Sequence, residues 1–253
     1  MTQLCVVGLT GMPRVQPGDD LVSLIADALQ RNNVVPQAQD VVVVAQKIVS
    51  KAENRYVRLA DVEPGSQAAA LSLELDKDAR LVEVILNESE QVLRSRPGLL
   101  IVRHRLGFVM ANAGVDQSNL DSADDERVLL LPQDPQRSAN LLREGLEARF
   151  GVRLGVIVND SAGRPWRNGI IGVALGASGL PVVRDMCGRE DLNGRTLKVT
   201  FTGFADAIAA AAGLAMGEAN EGVPATVVSG LDWPSGEISP AGLLREPELD
   251  LFL

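Results

Sequence analysis

Asp160 and Ser161 follow directly on the apolar run Val156-Ile157-Val158, with Asn159 between, and Arg164 and Arg167 come just behind them. A carboxylate and a hydroxyl are hard oxygen donors, while guanidinium groups pair with phosphate or carboxylate. Placed where a buried strand ends, this set suits a cation held beside phosphate. The pattern recurs along the chain. Lys47 and Lys51 follow the run Val41 to Ala45, Asp116 and Asn119 sit among small residues, and Glu218 comes just past an apolar helix. Three carboxylates and a hydroxyl are the oxygen ligands that Mg²⁺ or Mn²⁺ prefers. Each carboxylate alone also reads as a helix cap or a solvated charge, and only convergence in space makes a site of them.

Other chemistries lack their residues. With one histidine and two distant cysteines, Cys5 and Cys187, no zinc spacing exists, and the thiols read as ordinary core or surface groups. Neither the G-x-x-x-x-G-K-[ST] loop nor G-x-G-x-x-G after the first strand is present, and no G-x-S-x-G supports a serine nucleophile. Gly172, Gly176 and Gly179 have the wrong spacing for a nucleotide loop and read as turn glycines. His104, flanked by Arg103 and Arg105, reads as structural or merely near a site. Trp166 reads as a packing anchor more readily than as a stacking platform. On these grounds the chain handles phosphate with the help of a metal.

Several elements must position these groups. The spacing predicts a strand over Gln3–Gly8 and, after a loop, a helix carrying Leu21, Leu24, Ile25, Ala28 and Leu29, capped by Asp19 or Asp20. Val41–Ala45 reads as a strand buried on both faces. Helices are expected over Ser66–Leu75 and Ala79–Arg94, and strands over Leu99–Arg103 and Val128–Leu131. Asp134-Pro135 opens a helix to about Arg149. Strands then follow over Ile170–Leu175 and Thr196–Thr202, a helix from Asp206 to Met216, and a last strand over Pro224–Ser229. The alternation points to an α+β, mixed α/β fold, with mixed sheets and flanking helices, over residues 1–253 as one unit with room for two intertwined lobes. The tail 234–253 reads as partly mobile.

The chain has 253 residues, long enough to bury roughly three quarters of its unfolded surface. Aromatic residues make up 3%, so Val, Leu, Ile and Ala must build the core. A net charge of −9 argues against nucleic acid or an anionic membrane as partner, so an anionic ligand needs local Arg, Lys or metal. The N-terminus has no signal-peptide pattern, and no apolar run approaches the ~18 residues of a membrane span. A cytoplasmic location is therefore expected.

Six phrases carry a resemblance: QDVVVVAQKIVSKAE (39–53), ANAGVDQSN (111–119), LLPQDPQRSA (130–139), NDSAGRPWR (159–167), GREDLNGR (188–195) and MGEANEGVP (216–224). In this order, from about Gly8 to Leu231, they resemble the coenzyme F420-0:L-glutamate ligases, or F420 gamma-glutamyl ligases. The form resembled is the single-function one, without the fused nitroreductase-like domain of some relatives. The resemblance implies a ligase that adds L-glutamate to the phospholactyl-type tail of coenzyme F420-0, with GTP as co-substrate. It further implies two Mg²⁺ or Mn²⁺ ions, K⁺ as an additional cation, and a homodimer. Carried over, Asp116 and Asp160 would hold one metal, Ser161 and Glu218 the second. The nucleotide would be held by Met12, Pro13, Arg14, Val15, Gln46, Lys47, Lys51 and Asn119, with the loop Met216, Gly217, Glu218, Ala219, Asn220, Glu221, Gly222 and Val223. Asp160 would be catalytic, with Arg164 and Arg167 as clamps for phosphate or carboxylate.

Three positions depart from the family's usual residues: Ala207 stands for Glu, Ser229 for Arg and Asn193 for Tyr. The first two read as an ion pair lost together or as altered substrate contacts. Two other functions stay open: a non-catalytic binding protein for the deazaflavin coenzyme, and a ligase for a different carboxylate acceptor.

Overall fold

The structure, a computed structural model, describes residues 3–117, 126–233 and 242–251. The first half runs β1 (Cys5–Gly8), α1 (Leu21–Arg31), β2 (Val41–Ala45), α2 (Gln46–Ala52), β3 (Tyr56–Arg58), α3 (Ser66–Leu75) and α4 (Ala79–Asn87). It continues through β4 (Ser89–Arg96), β5 (Leu99–His104), β6 (Val109–Ala111) and β7 (Arg127–Leu129). The second half comprises α5 (Pro135–Phe150), β8 (Gly155–Gly163), β9 (Ile170–Ser178), β10 (Val183–Asp185), β11 (Phe201–Gly203), α6 (Phe204–Met216) and β12 (Ala225–Ser229). Helices and mixed sheets make this an α+β fold, as the residue pattern predicts.

The valine run forms the middle of the main sheet, whose order is β1-β12-β2-β8-β9. Only β2 and β8 are parallel; the other pairs are antiparallel. Val41 to Val44 are each 0% exposed. Successive strand side chains point to opposite faces, so Val42 and Val44 meet Ile25 and Leu29 of α1 and Leu142 and Leu146 of α5. Val41 and Val43 meet Ile208, Ala209 and Ala212 of α6 on the other face. Burying each valine stabilises the fold by about 1.5–3 kcal/mol relative to leaving it exposed.

Caps set the helix starts. Asp20 accepts from the N–H of Val22 at 3.0 Å and from the hydroxyl of Ser23 at 2.6 Å, which, the hydroxyl first, holds its carboxyl below the ordinary range. Asp134 accepts from the N–H of Arg137 at 2.9 Å, with Pro135 in the first turn. A smaller layer packs α3 and α4 against β4, β5 and β6 through Leu75, Val82, Ile85, Leu100 and Val102.

Four expectations differ from the structure. The helix predicted to reach Arg94 stops at Asn87, and Ser89–Arg96 is a strand paired with β5. Glu88 is fixed between Arg55 at 3.0 Å and Arg105 at 3.2 Å, with His104 Nε2 at 3.5 Å, and sheet pairing then overrides helix propensity. Thr196–Thr202 is not one strand: the Asp191 carboxylate accepts from the N–H groups of Asn193 and Arg195 and reverses the chain, Thr196 makes a single bridge to Glu190, and a ladder forms over Phe201–Gly203, paired with β10. The apolar run before Asp160 does not end there: β8 continues to Gly163 past a register shift between Val158 and Asn159. Gly172 and Gly176 lie inside β9 rather than in turns, and glycine is required there because a Cβ on either would come 2.3 Å from a carbonyl oxygen, of Ala209 and Pro135 respectively. The expected mobile tail falls partly outside the described residues.

Candidate active site

Strand directions bring the polar clusters to one edge of the main sheet. Ala45, at the exit of β2, pairs with Asn159 of the parallel β8, so Gln46 and Asp160 leave side by side. β12 runs the opposite way, so its entrance lies at the same edge: Ala225 pairs with Val44, and the Ala45 N–H donates to the Pro224 carbonyl at 2.8 Å. Gly8, at the exit of β1, pairs with Thr226, which carries the 9–15 loop to that edge too. Ligands gather beyond the carboxyl ends of parallel strands for this reason.

The result is a cleft of about 770 Å³. Met12, Pro13, Arg14, Val15, Gln46, Lys47, Lys51, Asp116, Asp160, Ser161 and the whole loop from Met216 to Val223 line it. Asp116 arrives from outside the main sheet. A bridge to β7, with its N–H donating to the Leu129 carbonyl at 3.0 Å and its carbonyl accepting from Leu129 at 2.8 Å, fixes its backbone.

The electrostatics follow from this crowding. Desolvation pushes the Asp160 carboxyl up to about 6, and the Asp116 carboxylate adds to the rise. Hydrogen bonds from the Ser161 backbone and the Gln46 side chain oppose it, as does the charge of Lys47. Gln46 is itself buried at the start of α2, its Oε1 accepting from the Ser50 hydroxyl at 2.9 Å. Lys47 Nζ lies 2.5 Å from Asp116 Oδ2. Lys51 is buried in the same wall. Two carboxylates and two lysines therefore share one partly dry volume, where charge interactions are stronger than in water.

The donors are all oxygen, as Mg²⁺ or Mn²⁺ requires and zinc does not. Among the described residues no group of three or more His, Cys, Asp or Glu side chains is gathered into a metal cluster. The oxygen pair Asp116 and Asp160 nevertheless fits a dication in kind: their like charges oppose each other, and a cation between them relieves the opposition. Ser161 and Glu218 line the same cleft, with Glu218 exposed.

Several residues do otherwise than the sequence suggests. Arg164 and Arg167 do not line the cleft; they lie on the exposed turn between β8 and β9, where Arg164 donates to the Gly169 carbonyl at 3.3 Å. The extension of β8 past Ser161 carries them there. Trp166, on the same turn, is 83% exposed rather than anchored in the core. Glu221 is exposed, and its Oε2 accepts from the Ala219 N–H at 2.8 Å, so its carboxylate shapes the loop. Val15 is buried in the core beneath α1, leaving its backbone to face a ligand. Asn119 lies outside the described residues. Ala207, Ser229 and Asn193 do not line the cleft. Ala45, Ile48, Gly114, Val115, Asn159, Ile170, Gly213 and Pro224 complete its lining without having been named as site residues. For most of them, only a position close in sequence to Gln46, Asp116, Asp160 or the 216–223 loop hinted at it.

Comparison with known proteins shows the family. The family model described as F420-0:Gamma-glutamyl ligase matches residues 10–230. The coenzyme F420:L-glutamate ligase of Methanopyrus kandleri is 44% identical over 243 residues, covering 94% of this chain and 93% of the relative. The protein of the same name from Methanothermobacter thermautotrophicus is 41% identical, covering 98% of each chain. A third from Archaeoglobus fulgidus is 40% identical over 247 residues, covering 98% of this chain and 95% of the relative. Match and identity both extend across nearly the whole sequence, and this chain belongs to the F420-0:Gamma-glutamyl ligase family.

Proposed function

We propose that this protein is a GTP-dependent ligase that joins L-glutamate to the carboxylate tail of coenzyme F420-0. In the first step a tail carboxylate oxygen attacks the γ-phosphorus of GTP, the bond to the β–γ bridging oxygen breaks, and GDP leaves. In the second, the glutamate amine, having given up a proton, attacks the acyl carbon, and phosphate departs as the amide forms. The observation that supports this reading is the joining of Asp116, Asp160, Lys47 and Lys51 in one cleft by elements far apart in sequence.

The first step brings anions together, and the chain's own groups are suited to that. Lys47 and Lys51 supply compact positive charge for phosphate, and the Gln46 amide offers a donor from a fixed position. Backbone N–H groups of the 216–223 loop suit phosphate oxygens. Asp116 and Asp160 would hold one Mg²⁺ or Mn²⁺ ion and Ser161 with Glu218 the other, with K⁺ as an additional cation. Bound there, the ions would neutralise phosphate charge and align the reacting oxygens. Arg164 and Arg167 have no such support within one chain.

A homodimer in the cytoplasm completes the reading. Exposed apolar side chains on two hairpins, among them Trp166, Ile170 and Phe201, favour self-association. Among the described residues no helix is long and apolar enough to cross a membrane.

Incubating the protein with coenzyme F420-0, GTP, glutamate and Mg²⁺ or Mn²⁺, then weighing the product by mass spectrometry, tests this. The expected product gains one or more glutamate residues while GDP accumulates. An unchanged coenzyme mass under every metal condition would reject the ligase reading, and GDP release with another carboxylate acceptor would redirect it.

A further inference from the structure

Asn159 stands at the register shift in β8, beside Asp160, and is 8% exposed. Its Nδ2 donates to Met216 Sδ at 3.7 Å, and thioether sulfur is a weak acceptor. Its Oδ1 is buried and, among the described residues, accepts no hydrogen bond. Exchanging the two amide atoms only moves the deficit, because one of them stays unpaired in either orientation. Buried amide oxygens without a partner are rare and costly in folded proteins. This one belongs to a residue that lines the cleft.

We propose that Asn159 is a further ligand-contacting residue of this cleft, its Oδ1 accepting a hydrogen bond from an N–H group of a bound substrate. The strand pattern separates it from the carboxylates. Asp160 is hydrogen-bonded to Gln46, at the start of α2, whereas Asn159 meets Met216, at the end of α6. Met216 packs with Ala209 and Ala212, a thioether and methyl surface without the several oxygens that a dication keeps around it. An organic N–H donor suits that wall better. This inference rests on the ligase reading for its two sources of such a group: the amine of glutamate and the N–H groups of the nucleotide's purine.

Asn159→Leu keeps the approximate shape and removes the amide. Calorimetric titrations of wild type and variant use three arms: Mg²⁺ alone, Mg²⁺ with a non-hydrolysable GTP analogue, and glutamate added to that complex. The expected result is a roughly tenfold weaker affinity in the nucleotide or the glutamate arm, the affected arm naming the source. The ligand-free melting temperature should hardly change, since the oxygen removed has no partner to lose and Nδ2 gives up only a weak bond to sulfur; a purely structural Asn159 would lower it and leave both organic arms unmoved. Equal affinities in both organic arms, or a loss confined to Mg²⁺ alone, overturn the assignment. Asn159→Ser, read by the same criteria, replaces the leucine variant should that not fold. A wild type that binds both ligands no better than the variant loses only the Asn159 contact, whereas a wild type that binds neither overturns the ligase reading as well.

Discussion

Lys47 Nζ lies 2.5 Å from Asp116 Oδ2, so a lysine holds the carboxylate that the family pattern would give to a metal ion. Both side chains keep about a quarter of their exposure, at 25% and 27%, which limits what the pair contributes to stability. Its consequence is competition: cation and lysine share one acceptor.

Lys47→Met should therefore separate two affinities. With Asp116 released, Mg²⁺ or Mn²⁺ alone should bind equally well or several-fold more tightly. The triphosphate, having lost a compact positive charge, should bind about tenfold more weakly, or ~1.4 kcal/mol. Titration calorimetry with metal alone and with nucleotide checks both. Parallel losses of the two would show that Lys47 only maintains the local fold.

Asp160 gives a pH signature. Its carboxyl is pushed up to about 6 in the fold against an ordinary 3.8, desolvation first and Asp116 second. Below about pH 4 it is protonated in both folded and unfolded chains. Between about pH 4 and 6 the unfolded chain gives up its proton first, so stability falls through this window and stays lower above it. In chelator, Asp160→Asn should match wild type near pH 4 and exceed it by about 1–3 kcal/mol near pH 7.5. Urea denaturation at both pH values measures the difference; a variant that is less stable at the higher pH contradicts the desolvation account. Asp160→Ala should leave the fold intact and abolish turnover.

Glu88 sits at the opposite extreme. Burial alone would raise its carboxyl, yet His104, Arg105 and Arg55 hold it below the ordinary range. Glu88→Gln would leave Arg55 with its bond to the Leu131 carbonyl at 2.9 Å but without its charge partner. The expected loss is about 2–4 kcal/mol of unfolding free energy, because a partly buried cation is left uncompensated. The carboxylate's contribution is present above the ordinary carboxylate range and fades as pH falls through its lowered value, so the wild-type advantage should shrink in acid. An unchanged denaturation midpoint near neutral pH would mean that water replaces Glu88 at little cost.

Close backbone approach makes the last prediction. A Cβ on Gly172 would lie 2.3 Å from the Ala209 carbonyl oxygen, which α6 cannot withdraw without leaving the sheet. Gly172→Ala should cost at least about 2–3 kcal/mol, against a few tenths at the open position Gly163. Thermal melts of the two variants side by side test the contrast, and similar melting temperatures would discredit the close-packed helix.

Much of this protein is written in local residue order. The valines 41–44 form a strand buried on both faces, Asp20 and Asp134 cap helix starts, and polar residues after the runs 41–45 and 156–158 line the cleft, though Arg164 and Arg167 do not. Those features are local because periodicity and capping act over a few residues. Only tertiary structure decided the rest. Strand direction turned separate clusters into one cleft, and pairing with β9 beyond the shift at Asn159 kept β8 running past Asp160. The continuing strand placed Arg164 and Arg167 out in solvent, and Arg55 and Arg105 helped end α4 by holding Glu88. These outcomes depend on contacts between residues far apart in the chain, whose energies no local pattern contains.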